Sequence, residues 1–200
     1  MKTNTKKIAG YSAMALAAAA VLPISCKKDK AISDDPEIDV ITPNLSLTAP
    51  SGAIDSSTTL LGNEIDLIVG KYYSDDVVYI DFDGNSYFQK DNDVTVNGTT
   101  WDFLPILNEG ATIDTASAAW LDGSDNDDGY FFVKDNVPAP GASHGINGQG
   151  DKFVAFRQGS GSSFKYGWMK VNVSSDGKTF VLKEMAMSNV FNKVIKVGAK

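Results

Sequence analysis

The sequence predicts an all-β protein, an antiparallel β-sandwich or jelly roll, on three observations. Short runs rich in β-branched and aromatic residues recur along the chain, each bounded by Gly, Asn, Asp or Ser clusters. Beyond the first 25 residues, no segment keeps apolar residues at helical spacing over three turns. Two of the gaps between runs, "QGSGSS" and "SSDGK", have the composition of hairpin loops. Short antiparallel strands joined this way bury one face of each sheet against another, which gives a sandwich or jelly roll.

Residues 1–25 stand outside that pattern. Lys2, Lys6 and Lys7 occur with no acid, and Ile8 to Ile24 is almost wholly apolar. A basic start before a short apolar core is the layout of a secretory signal. Cys26, the one cysteine, follows directly and has no partner for an intramolecular disulfide. Two fates are open: an idle residue in a signal cut after Ala19 or Ala20, or an acylated first residue of the mature chain. The apolar core, Ser25, Cys26 and "KKDK" resemble the signals of bacterial lipoproteins, with Pro23 third before the cysteine and Leu22 one place earlier. Among these, the "SCKKD" ending is similar to the loose form found in Bacteroidota-type bacteria. The resemblance implies a signal peptide over residues 1–25 and a lipid on Cys26. It places the protein outside the cytoplasm, anchored to a membrane, at the outer membrane or cell surface. Each buried methylene of such a lipid contributes about 0.8 kcal/mol, so the chain is held on the bilayer without spanning it.

Removing residues 1–25 takes three lysines and no acid from a chain of net charge −7, leaving −10. So acidic a protein excludes nucleic acid, whose phosphates need a positive surface, and docking on anionic lipid heads. The charge is segregated. Ser74 to Asn136 holds fourteen acids against Lys90 and Lys134, while Val137 to Lys200 holds nine Lys or Arg against three acids. Solvated faces of one sandwich, whose halves attract, account for this; a cation-handling acidic face is the functional alternative.

From Lys27 to Lys71 there is no aromatic residue. Residues 26–36 read as the lipidated cysteine and a flexible tether, and residues 37–200 as the sandwich domain. In order, "EIDVITPNLSL" and "TTLLGNEIDLIVG" carry enough Val, Ile and Leu to join it as strands. "DVVYIDF", "GYFFVKD", "DKFVAFRQ", "FKYGWMKVNV" and "TFVLKEMAM" follow. "TIDTASAAW" is the nearest approach to a helix, with Asp114 or Thr115 able to cap one or two turns. In "FKYGWMKVNV", Phe164, Tyr166 and Trp168 share one face and Met169, Val171 and Val173 the other, which predicts a central strand.

Most chemistry fails on inventory. One histidine and one cysteine cannot build a Cys/His metal site or a cysteine nucleophile. "GASHG", Gly141 to Gly145, matches the serine-hydrolase elbow pattern, but its flanks are loop-like and His144 lies inside the pattern. Two acidic runs carry oxygen ligands suited to calcium: Asp81, Asp83 and Asn85 in "DFDGN", and Asp122, Asp125 and Asp127 in "DGSDNDDG". Neither fits the full EF-hand pattern, and turn formation is the favoured reading of both. Trp101, Trp120 and Trp168 are candidates for a sugar-stacking face, against the alternative that they pack in the core.

"VVYIDFDGN", "FVAFRQGSGSSFKYGWMKVNVS" and "TFVLKEMAMSN" together resemble a β-rich domain recurrent in exported bacterial proteins. Its members carry a Y-x-D-x-D strand and turn, then F-R and Y-G-W. The resemblance spans about Tyr79 to Asn189 and implies fold and compartment, without an activity. The expected function is a non-catalytic binding or structural module, for a glycan or a partner protein of the envelope; a secreted hydrolase using an Asp pair is the alternative. Replacing Cys26 with Ser is expected to move the protein from membrane fractions to soluble ones and to abolish palmitate incorporation, read by metabolic labelling.

Overall fold

The computed structural model describes residues 35, 37–49, 52–72, 75–83, 85–89, 94–96, 99–114, 120–121, 129–134 and 143–200. The expected signal, residues 1–25, and nearly all of the expected tether, residues 26–36, lie outside these residues. So do the acidic run 122–128 and most of the segment read as a helical turn; Thr112 and Ile113 within that segment form a strand. Among the described residues there is no helix, and the chain is an antiparallel β-sandwich.

One sheet has six strands: β1 (Ile38–Ile41), β2 (Leu45–Thr48), β6 (Ser86–Phe88), β12 (Lys152–Ser160), β13 (Ser163–Val173) and β14 (Thr179–Ser188). Their order is β1-β14-β13-β12-β6, and β2 extends the β1 edge along β14. The other sheet contains β3 (Ile54–Leu60), β4 (Asn63–Tyr72), β5 (Asp75–Asp83), β10 (Gly129–Lys134) and β11 (Ser143–Gly145), in the order β11-β10-β5-β4-β3. Two small ribbons complete the fold: β7 (Val94–Val96) with β8 (Thr99–Trp101), and β9 (Thr112–Ile113) with β15 (Ile195–Lys196).

Local chemistry explains the breaks. "EIDVITPNLSL" forms two edge strands because Pro43 cannot donate to a ladder; Asn44 then turns the chain with φ 46°. The β13–β14 hairpin closes where Asp176 Oδ1 accepts from Ser174 Oγ (2.6 Å) and from the Lys178 amide (3.1 Å). Gly177 supplies the left-handed step there, with φ 69°. In β10 the register slips between Tyr130 and Phe132. This bulge lets Phe131 and Phe132, neighbours in sequence, both enter the core.

The main core lies between the sheets: Leu67, Ile80, Phe131, Phe156, Met169 and Leu182 are at most 1% exposed. A second apolar cluster covers the opposite side of the six-stranded sheet. There Tyr166, Trp168 and Ala186 pack beneath Ile113, Ile195 and Val197, so the β9–β15 ribbon roofs the sheet. Ion pairs fasten that roof: Lys193 Nζ lies 2.6 Å from both Asp35 and Glu37. The Lys193 ammonium holds the Asp35 carboxyl below its ordinary range. The Asp35 amide donates to the Lys200 carbonyl at 3.0 Å, bringing the two ends of the described chain together.

Gly167 is the tightest point of β13. It faces Phe156 across the β12 pairing, and a Cβ built on it would stand 2.2 Å from the Phe156 ring and 2.6 Å from the Ala186 carbonyl. Replacing Gly167 with Ala is expected to cost about 1–3 kcal/mol by overpacking, measured as a lower urea midpoint with an unchanged m-value.

Candidate functional site

Polar side chains gather at one end of the sandwich, where the β3–β4, β5–β6 and β12–β13 connections meet. The β3–β4 hairpin reverses through Leu61 and Gly62, with φ of 50° and 77°. Glycine adopts that left-handed conformation freely; leucine does so only when held. Asn63 holds it. This residue is 1% exposed, and its Nδ2 donates to the carbonyls of Leu60 (3.1 Å) and Leu61 (3.2 Å). Its Oδ1 accepts from Ser86 Oγ at 2.5 Å, which ties the turn to the other sheet.

Two further bonds fix the surroundings. Gln158 Nε2 donates to the Gly62 carbonyl at 3.1 Å, and the Gly159 amide donates to the Asn85 carbonyl at 2.8 Å. They frame an open groove of about 510 Å³ whose lining includes Glu64, Asn85, Gln158, Lys165 and Phe191. The C-terminal tail supplies its aromatic wall. Asn192, with φ 56°, accepts from the Phe164 amide through Oδ1 (3.1 Å) and donates from Nδ2 to the Ser162 carbonyl (3.0 Å). That clamp turns Phe191 outward, 56% exposed, with Lys165 Nζ 5.3 Å from its ring centroid. A carboxylate, two amides, an ammonium and an exposed ring on fixed strand ends can hydrogen-bond hydroxyls and stack against an apolar ring face.

The candidates read from the sequence are placed differently from one another. Trp168 is 0% exposed and Trp101 5%. Trp101 packs on Tyr130 over the five-stranded sheet, whereas Trp120 and Trp168 belong to the cluster outside the six-stranded sheet. The three form no common platform, and the exposed aromatic at the groove is Phe191. Asp81 and Asp83 lie on β5 in register with Asp66 and Glu64, and Asn85 lines the groove. Among the described residues, no three His, Cys, Asp or Glu side chains are grouped to hold a metal ion; Asp122, Asp125 and Asp127 lie outside them. Ser143 and His144 sit on edge strand β11, paired with β10. A turn at Ile146–Gln149 follows, not the helix that a nucleophile elbow needs. Glu64, Gln158, Lys165 and Phe191 escaped the sequence reading. The one sequence signal for Phe191 is an aromatic residue set among polar ones in "SNVFNK", after the last long strand.

Comparison with known protein families, curated proteins and solved structures gives no match.

Replacing Asn63 with Ala removes the donor to two carbonyls and strands the Ser86 hydroxyl. The expected loss is about 2–4 kcal/mol, from several hydrogen bonds and the buried groups left unpaired, read by equilibrium urea unfolding.

Proposed function

We propose that the chain is an exported lipoprotein, anchored through an acylated Cys26 at the outer membrane or cell surface. Its sandwich acts as a non-catalytic binding module for a neutral envelope saccharide. The layout of residues 1–26 supports the export and anchoring. The observation that carries the binding role is the groove at the sandwich end, where Phe191 stands exposed beside Glu64, Asn85, Gln158 and Lys165. Sugars are bound by such a pairing: planar amides and charged groups meet hydroxyls, while an aromatic face covers the C–H side of the ring. Hydrolysis by an acid pair needs two carboxylates flanking one bond. Glu64 is the one acid among the described groove residues, which favours binding over cleavage. The net charge of −7 for the whole chain supports a partner other than nucleic acid.

The test is an array of neutral oligosaccharides probed with the purified full chain. Binding is expected, and Phe191→Ala and Gln158→Ala should each weaken it by about tenfold or more. Phe191→Ala should keep the wild-type melting temperature, and Gln158→Ala, which loses the bond to the Gly62 carbonyl, should lower it only slightly. Wild-type affinity in both variants would remove the groove from consideration.

A further inference from the structure

The outer face of the six-stranded sheet holds a positive charge enclosed by aromatic rings. Arg157 on β12 lies opposite Tyr87 on β6 and Tyr166 on β13. Its guanidinium carbon is 3.9 Å from the ring centroid of Phe164, 4.8 Å from that of Trp120 and 5.2 Å from that of Tyr87. All three distances fall in the cation–π range. Ring faces offset charge, but they do not replace an in-plane acceptor for the N–H groups. Arg157 Nε is buried without a hydrogen bond.

Two neighbours share that condition. Tyr166, 1% exposed, has a buried hydroxyl without a partner, and so does the indole N–H of Trp120. The Trp120 ring lies 6.0 Å from that of Tyr166, tilted by 39°, so both rings belong to one cluster. Burial pushes the Tyr166 pKa up, which keeps its hydroxyl protonated and able to donate. Burial also lowers the Arg157 pKa, although a guanidinium stays charged in proteins.

Three donors with no acceptor are costly in a folded protein, and such local conflicts concentrate where function requires them. We propose that Arg157, Tyr166 and Trp120 form a carboxylate-binding site whose ligand is an acidic saccharide, a uronic acid. A carboxylate is planar and offers two oxygens, which match the guanidinium fork. Its remaining lone pairs take the phenol O–H and the indole N–H. The saccharide class follows from the walls: Tyr87 and Phe164 are partly exposed and meet edge to face at 6.2 Å, offering apolar surface to a pyranose ring. Arg157 itself is partly exposed.

This site is separate from the groove. Gln158 and Lys165 are the sequence neighbours of Arg157, Phe164 and Tyr166, but strand alternation sends them to the other side. The two proposals therefore fail independently.

The experiment titrates the full chain with glucuronate, glucose and sulfate, followed by tryptophan fluorescence and calorimetry. Glucuronate should give a saturable response, with no response to glucose at equal concentration and a weaker one to sulfate. The glucuronate affinity should fall about tenfold or more in Arg157→Met and about fivefold in Tyr166→Phe, as charge-assisted and neutral hydrogen bonds are lost. Phe191→Ala should leave it unchanged. Tyr166→Phe should also raise the melting temperature of the free protein, because it deletes an unpaired buried hydroxyl. Wild-type affinity in Tyr166→Phe, no saturable response to glucuronate, or an equal response to sulfate would each overturn the assignment. Tyr166→Phe removes one oxygen without changing shape, so it decides the matter even if Arg157→Met does not fold.

Discussion

The architecture depends on burying both faces of β13. Tyr166 and Trp168 on one side, and Met169, Val171 and Val173 on the other, are all at most 1% exposed. Full burial of such side chains contributes roughly 1.5–3 kcal/mol each, so leaving either face wet would remove much of a domain's net stability. One face meets the five-stranded sheet. Among the described residues, the other is covered by the two-stranded β9–β15 ribbon and the irregular chain beside it: the segment before Asp114 and the tail after Ser188. The roof is therefore pinned at several points, by the β9–β15 ribbon, by Asn192 on the β12–β13 hairpin, and by Lys193 between Asp35 and Glu37. Gly167 follows from the same demand, since the Phe156 ring occupies the space a side chain would need.

Strand positions were legible because alternation and turn chemistry are local. β12, β13 and β14 start and stop within about two residues of the runs read from the sequence, a margin normal for element ends. The turns at Gly161 and Gly177 fall where glycine is needed for positive φ. What was not legible depends on distant partners. Thr112 and Ile113, read as leading into a helical turn, pair instead with Lys196 and Ile195, more than eighty residues away. The bulges in β10 and β14 are register events, and no local pattern announces them. Burial of Trp101 and Trp168 and exposure of Phe191 are decided by which chain segment crosses above each ring.

The acidic and basic segments show the same limit. Spacing places Asp81 and Asp83 at alternate positions, but a strand separates such residues by about 6–7 Å. Convergence on one ion would have to come from the chain after the strand. In the backbone register Asp81 stands opposite Asp66 and Asp83 opposite Glu64. The basic C-terminal segment finds acids near at hand. Asp151 accepts Lys183 at 2.6 Å and Asn172 Nδ2 at 3.0 Å, with its carboxyl held below its ordinary range chiefly by the Lys183 bond. Charge segregation along the sequence thus becomes two sheet faces with different electrostatic character, acidic on one sheet and basic on the other.

That difference bears on how an anchored protein would present itself. Ile38 on β1 pairs with Ser188, Met187 with Gly167, and Gly167 with Phe156. The entry of the described chain at Asp35 therefore lies at the end of the six-stranded sheet that carries Gln158, Lys165 and the groove. Eight residues lie between Cys26 and Asp35, a span of at most about 32 Å even when fully extended. A lipid on Cys26 would hold the groove end near the membrane. The acidic sheet, repelled by anionic headgroups within a Debye length of about 8–10 Å, would favour orientations that turn it outward. Among saccharides, those rooted in the same membrane would then meet the groove at the highest effective concentration, since a short tether confines both to one thin layer.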